Sequence, residues 1–256
     1  MTTAPYRAIV SSDWSECLSP NGPFDCLAFN YPDLKADLTA VFRQYTGNRI
    51  SLGQAAAKIK GLLPDPLSPD QMDAYLDVSF ATYKGVPDLI QWCLDNRILF
   101  MLNSTGMIGY FQRVFAKKLL PPVPVLSAHP LVRYPELDTD PPHVYELFET
   151  RDKGRNTAAV ANSLAIQAPK IILMGDSGGD GPHFEWGAKS GAFLIGSMTK
   201  ASLDSYCREK DIAISLRFGL DYSRGEKKDQ RKEVDINFMD LVSTIKKTVY
   251  QRLSDP

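Results

Sequence analysis

The chain has 256 residues, 44% of them hydrophobic, and a formal net charge of −1. That is enough apolar material for one large domain or for a core domain with a small insert. A charge near zero gives no basic surface for nucleic acid or an anionic membrane. No apolar run approaches the roughly 20 residues of a membrane span, and residues 1–7 have no signal-peptide-like apolar stretch. A soluble, cytoplasmic protein is expected. Cys17, Cys26, Cys93 and Cys207 are scattered, with no C-x-x-C pair. They fit reduced, buried thiols rather than a disulfide framework or a zinc site.

An apolar run at residues 8–10 ends in Ser11-Ser12-Asp13. It reads as a short buried strand that releases Asp13 at the C-terminal edge of a sheet. Residues 20–33 are rich in Pro, Gly and Asp and predict a linker. Residues 34–63 turn helical, with Leu34, Leu38, Val41 and Phe42 at helical spacing and breaks at Gly47 and Gly53. Pro64, Pro66 and Pro69 interrupt the pattern, and Asp70 is placed as the cap of a further helix. No strand pattern falls within residues 34–85, so an all-helical insert is expected there.

Gly85 starts the next helix, and residues 97–102 read as a buried strand ending in Asn103-Ser104-Thr105-Gly106. A helix follows over 107–118. Residues 119–147 read as irregular or short-stranded, with possible strands at 123–126 and 144–148. A helix is expected over about 156–167, then a buried strand at 170–174 leading into Gly175-Asp176-Ser177-Gly178-Gly179-Asp180-Gly181. Short strands are expected at 192–195 and 212–216, with a helix at 202–210 between them. Residues 223–233 carry five basic side chains, Lys227 and Lys228 among them, against three acidic ones. Such a run is usually a solvated face. The last helix should run from Phe238 with Leu241, Ile245, Val249 and Leu253 on its apolar side. This order predicts an α/β protein, a parallel sheet wrapped by helices.

Four pieces at strand ends or helix starts make phosphoryl chemistry plausible together. Asp13 can ligate Mg²⁺ or attack phosphorus, though alone it would be read as a turn former or helix cap. Ser104, with the first amides of the following helix, can hold a phosphate oxygen, and is otherwise a cap. Lys153 can neutralise a phosphate and a carboxylate, and is otherwise a surface lysine. Asp176 and Asp180 lie four residues apart on a glycine-rich turn beyond a buried strand, and hard oxygen donors of this kind suit Mg²⁺.

In this order the pieces resemble the haloacid dehalogenase superfamily, and more narrowly its phosphoserine phosphatase-like branch. Residues 10–19, Val-Ser-Ser-Asp-Trp-Ser-Glu-Cys-Leu-Ser, resemble the branch's Ser-Asp-Phe-Asp-Gly-Thr-Ile-Thr. Leu102-Asn103-Ser104-Thr105-Gly106-Met107 resembles its Ile-Ser-Gly-Gly-Met, Lys153-Gly154 its third motif, and residues 172–180 its fourth, the most specific match. The resemblance implies a Rossmann-like core from residues 1–24 and 86–256, with a helical cap at 25–85. It also implies Mg²⁺ as cofactor and an aspartyl-phosphate intermediate. Asp13 would be nucleophile and metal ligand. Ser104, Thr105, Gly106 and Lys153 would hold the phosphoryl group. Ser15, through its carbonyl, would join Asp176 and Asp180 on the metal.

The chain departs from that pattern at the aspartate that handles the leaving-group proton. Ser15 stands there, and a serine hydroxyl is a poor acid near neutral pH, where such catalysis is worth about 10²–10⁴-fold. Glu16-Cys17 replaces Gly-Thr, and Glu16 is the candidate substitute. A second register places Ser11 at the nucleophile position and Asp13 at the acid position. His183 is expected to cap or pack the helix after the metal loop, and Trp14 either lines a pocket or packs beneath the cap. The leading expectation is a Mg²⁺-dependent phosphatase for a small phosphorylated metabolite, slow or suited to a good leaving group. The alternative is a catalytically silent phosphate- or metabolite-binding protein. Metal-free dehalogenation is a third reading, disfavoured by Asp176 and Asp180.

Overall fold

The computed structural model describes residues 6–46, 49–226 and 229–251. Gly47, Lys227, Lys228 and Leu253, used above, lie outside the described residues. The strands are β1 (Ala8–Ser12), β2 (Ile98–Met107), β3 (Val125–His129), β4 (His143–Glu146), β5 (Ile171–Gly175), β6 (Phe193–Ser197) and β7 (Leu216–Phe218). They form one sheet in the order β4-β3-β2-β1-β5-β6-β7, and every pairing is parallel. The helices are α1 (Asp25–Asn30), α2 (Lys35–Thr46), α3 (Leu52–Leu62), α4 (Pro69–Ser79), α5 (Val86–Asp95), α6 (Ile108–Ala116), α7 (Asp152–Ser163), α8 (Gly181–Ser190), α9 (Ala201–Glu209), α10 (Gln230–Glu233) and α11 (Leu241–Gln251).

The central strands are apolar almost without interruption because both sheet faces are covered. Ile9, Leu99, Met101 and Leu173 pack on one face with Val160, Phe184 and Leu203 from α7, α8 and α9. Val10, Phe100 and Ile172 pack on the other with α5, α6, α11 and the helices after β1. Adjacent residues such as Ile9 and Val10 thus serve opposite cores, as strand geometry requires.

After β1 the chain adds strands on one side through β4, then crosses back to lay β5 against the other side of β1. The loops after β1 and β5 therefore diverge. Such a switch point at the C-terminal edge of a parallel sheet leaves a crevice where ligands bind.

Several boundaries differ from the sequence reading. Residues 103–107 do not leave the sheet as a loop: β2 continues through them against β3, with a register shift between Asn103 and Met107. Helix α7 begins at Asp152, because the Asp152 carboxylate accepts the amides of Phe148 and Glu149 and fixes the turn. β7 lies later than expected, where Leu216 pairs with Ile195. Ser68, not Asp70, caps α4 through a capping box with Gln71, and Pro69 occupies the first turn.

Helices α1–α4 fill the interval between β1 and α5. Ser51 caps α3 by the same device with Gln54. On one side the Arg113 guanidinium of α6 holds the Asp73 carboxylate of α4 through two bonds of 2.8 and 2.6 Å. On the other side Glu149 accepts the Leu52 and Gly53 amides at the start of α3, both at 3.2 Å. A carboxylate there also suits the positive end of the helix dipole. The four cysteines are buried free thiols. Among the described residues no helix is long and apolar enough to cross a membrane.

Candidate active site

Asp13 leaves β1 in the crevice, its amide still bonded to Met174 of β5 at 3.0 Å. Its Oδ1 accepts a hydrogen bond from the Lys153 ammonium at 2.7 Å, and the same ammonium donates to Asp180 Oδ1 at 2.6 Å. All three side chains are buried. Burial alone would discharge each of them, so the charges persist only as a set. For Asp13 burial wins in part over Lys153 and raises the carboxyl to about 6. For Lys153, burial opposes the charge but Asp13 and Asp180 outweigh it and hold the ammonium above its ordinary value. For Asp180, burial is likewise outweighed, chiefly by Lys153, and the carboxyl stays below its usual range.

The glycine-rich loop after β5 is shaped around Asp180. Its Oδ2 accepts the amides of Asp176 and Ser177 at 3.0 and 3.3 Å. A Cβ on Gly175 would lie 2.6 Å from Asp180 Cγ, so only glycine lets the carboxylate fold back over the strand end. Both Asp180 oxygens are engaged, which makes it a brace for Lys153 and for the loop that presents Asp176.

Beneath Lys153 lies a polar network that fixes its backbone. Asn103 Nδ2 donates to the Lys153 carbonyl, Ser11 Oγ and Thr157 Oγ1 at 3.0, 3.1 and 3.1 Å. Thr157 Oγ1 also donates to the Lys153 carbonyl at 2.9 Å and meets His183 Nε2 at 3.1 Å. Burial, then the Lys153 charge, push the His183 imidazole down to about 3. It is a neutral partner packed against Trp186.

Lys200, just beyond β6, was not singled out in the sequence. Its amide donates to the Asp176 carbonyl at 2.7 Å. Its ammonium lies 3.1 Å from Asp176 Oδ2 and also hydrogen-bonds to the Glu16 carboxylate. The available signal was its place three residues after a strand, on the edge that carries the other site residues. Glu16 itself has a left-handed backbone, φ 57°. Strain of this kind costs a non-glycine residue about 1–2 kcal/mol, which explains why a glycine would fit the position better.

Ser15 lies beside the linker into α1, its Oγ 3.6 Å from where a Gly22 Cβ would stand. Trp14 is wholly buried between Phe80, Tyr110 and Phe111 rather than lining an open pocket. Ser104 stands two residues beyond Leu102, the β2 partner of Ser12, and its Oγ accepts the Gly106 amide at 3.1 Å. Pro23 packs on Gly106, where a Cβ would be 2.5 Å from Pro23 Cγ. In the first turn of α6 the Gly109 amide is taken by the Val132 carbonyl at 2.7 Å. Tyr45 of α2 reaches Thr105 and lies close enough to feel the charges of Lys153, Asp13 and Asp180; burial pushes its hydroxyl up.

Asp13, Asp176, Asp180 and Lys153 are thus brought together, and Glu16 joins them through Lys200. Asp13, Asp176 and Asp180 each offer an oxygen within 4.8 Å of the others. Three hard, buried carboxylates so spaced fit a small divalent cation such as Mg²⁺.

No family model matches the sequence, and no curated protein matches it. Solved structures do match in shape. One is the phospho-aspartyl intermediate analogue of phosphoserine phosphatase. It has a TM-score of 0.62 and 15% identity, over 93% of this chain and 99% of that one. A haloacid dehalogenase family hydrolase from Salmonella enterica serovar Typhi superposes at 0.62 with 17% identity, over 85% and 69%. The fold is that of the haloacid dehalogenase superfamily. Cytosolic 5′-nucleotidase IIIB bound to cytidine shares it at 0.57 and 16% identity, over 98% and 89%.

Proposed function

We propose that the protein is a Mg²⁺-dependent phosphatase acting on a small phosphorylated metabolite through an aspartyl phosphate on Asp13. The observation that carries this reading is the Asp13–Lys153–Asp180 chain at the sheet's switch point, with Asp176 beside it. Phosphatases among the structural neighbours support it. The contacts favour the register with Asp13 as nucleophile, since Ser11 Oγ is tied into the buried network at Thr157 and Asn103.

Asp13, Asp176 and the Ser15 carbonyl would hold Mg²⁺, with Asp180 behind them. Bound there, the ion would neutralise phosphoryl oxygens and orient them for in-line attack. Lys153 steadies the Asp13 carboxylate through Oδ1 and offers its remaining proton to a phosphoryl oxygen. Asp13 attacks phosphorus through its other oxygen, the phosphorus–ester oxygen bond breaks with its electron pair on the substrate oxygen, and that oxygen takes a proton from water. A water molecule then attacks the aspartyl phosphate, releasing inorganic phosphate and restoring the Asp13 carboxylate. Ser104, Thr105 and Gly106 line the corner beside β1 where the phosphoryl oxygens would rest, with the Gly106 amide holding the Ser104 hydroxyl in place. Helices α1–α4 act as the cap, residues 25–85, with Tyr45 reaching over the site and excluding water.

Ser15 supplies no proton to the leaving alcohol and no base for the attacking water. Turnover of alkyl phosphates is therefore slow, and acyl or aryl phosphates react faster. Ser15→Asp should raise turnover of an alkyl phosphate by about 10²-fold or more. The defining experiment is hydrolysis of p-nitrophenyl phosphate and acetyl phosphate with Mg²⁺ and with EDTA. Magnesium-dependent release of phosphate supports the proposal. Activity that survives EDTA unchanged contradicts it.

A second reading rests on one observation: the Glu16 carboxylate, the candidate substitute acid, is bonded to Lys200. On that reading the protein binds phosphate and Mg²⁺ without hydrolysis. Robust turnover of any phosphate ester would exclude it.

A further inference from the structure

The pairing of Lys200 with both Asp176 and Glu16 has no part in the chemistry above. The lysine is built into place. Its own amide is tied to the Asp176 carbonyl at 2.7 Å, and the flanking residues Thr199 and Ala201 are bonded to Tyr222 at 2.7 and 2.9 Å. Its side chain is about a third exposed (32%), whereas Asp176 is 2% exposed. One carboxylate partner is therefore buried in the crevice, and the other stands at its rim. Glu16 keeps a left-handed backbone that glycine would adopt without strain, yet it presents a carboxylate to Lys200.

We infer that Lys200, steered by Glu16, is a resident cation that competes with the divalent ion for Asp176 and so sets the metal affinity of the site. The inference rests on the metal reading given under Proposed function. A divalent ion on Asp13 and Asp176 would face a positive charge on the same Asp176 carboxylate. Little solvent lies between such neighbours to screen them. Glu16 is the anion toward which Lys200 turns when the ion arrives. The pair thus makes metal binding weaker than Asp13 and Asp176 would give without it, while keeping Asp176 compensated when no ion is bound. Lys153 cannot play this part, because it is committed to Asp13 and Asp180.

The test is titration calorimetry of Mg²⁺ alone into the full chain, with folding of each protein checked by thermal melting. Lys200→Met should tighten the dissociation constant tenfold or more, and Lys200→Arg should leave it near the wild-type value. Lys200→Gln gives the same reading as the methionine variant if the latter does not fold. A gain of affinity is not what general damage to the loop would produce. Glu16→Gln should weaken binding severalfold in the wild-type background and less than twofold in the Lys200→Met background, because the glutamate acts through the lysine. Wild-type binding that is unchanged or weaker in both neutral variants overturns the inference and leaves the metal site standing. Equal loss from Glu16→Gln in both backgrounds overturns the role given to Glu16. No Mg²⁺ binding by any of the proteins overturns the metal reading and this inference with it.

Discussion

Two lysines hold the carboxylates of this crevice, and they do so under opposite conditions. Lys153 is 2% exposed and bridges two buried aspartates. Lys200 is 32% exposed and bridges one buried aspartate and a glutamate at the rim. The same ion-pair chemistry has different consequences at the two places. A buried charge that loses its partner stays buried and unpaired, whereas one near solvent finds water. On the proposed reading Lys153 would serve the fold and the chemistry at once, and Lys200 would be an adjustable counter-charge.

Removing each lysine should expose that difference. Lys153→Met leaves Asp13 and Asp180 facing each other without a cation. It should cost about 3–5 kcal/mol in urea unfolding at neutral pH and lower phosphatase turnover by about 10³-fold. A loss below about 1 kcal/mol would place Lys153 with the exposed lysines and erase the contrast. On the proposed mechanism Asp13 must be ionised to attack, and burial raises its carboxyl to about 6 despite Lys153. At low Mg²⁺, kcat/KM should fall about tenfold per pH unit below 6. The limb should move to lower pH as Mg²⁺ rises, because a bound cation favours the carboxylate. A profile flat down to pH 4.5 in low Mg²⁺ would contradict this environment. The smaller effect is on the rim: Lys200→Met should cost less than Lys153→Met in the same unfolding measurement, because it strands one buried carboxylate, Asp176, rather than two. A loss matching that of Lys153→Met would show that burial does not separate the two.

The two lysines also mark what could be read in advance. Lys153 was legible because it stands in chain order between other motif residues, although its helix starts earlier than the periodicity suggests. Asp152 accepts amides four and three residues back, and a helical pattern carries no trace of that. Lys200 was not legible. Its partner Glu16 lies 184 residues away, and one lysine after a strand resembles many surface lysines. Glu16 could not be oriented either, since a glutamate with positive φ is imposed by the turn that its amide closes on Ser19 at 2.6 Å. The central strands β1, β2 and β5 were plain from their apolar runs. The continuation of β2 through Ser104 was hidden because pairing with β3, not composition, keeps Asn103 to Met107 in the sheet.

The most direct test of the central claim looks for the phosphoryl group on Asp13. The protein is mixed with acetyl phosphate and Mg²⁺, quenched in acid, digested and examined by mass spectrometry. With Ser15 unable to activate water well, the aspartyl phosphate should accumulate on the peptide containing Asp13, be cleaved by hydroxylamine, and be absent from Asp13→Asn. Hydrolysis by Asp13→Asn at the wild-type rate, or an adduct on any other residue, would contradict the account.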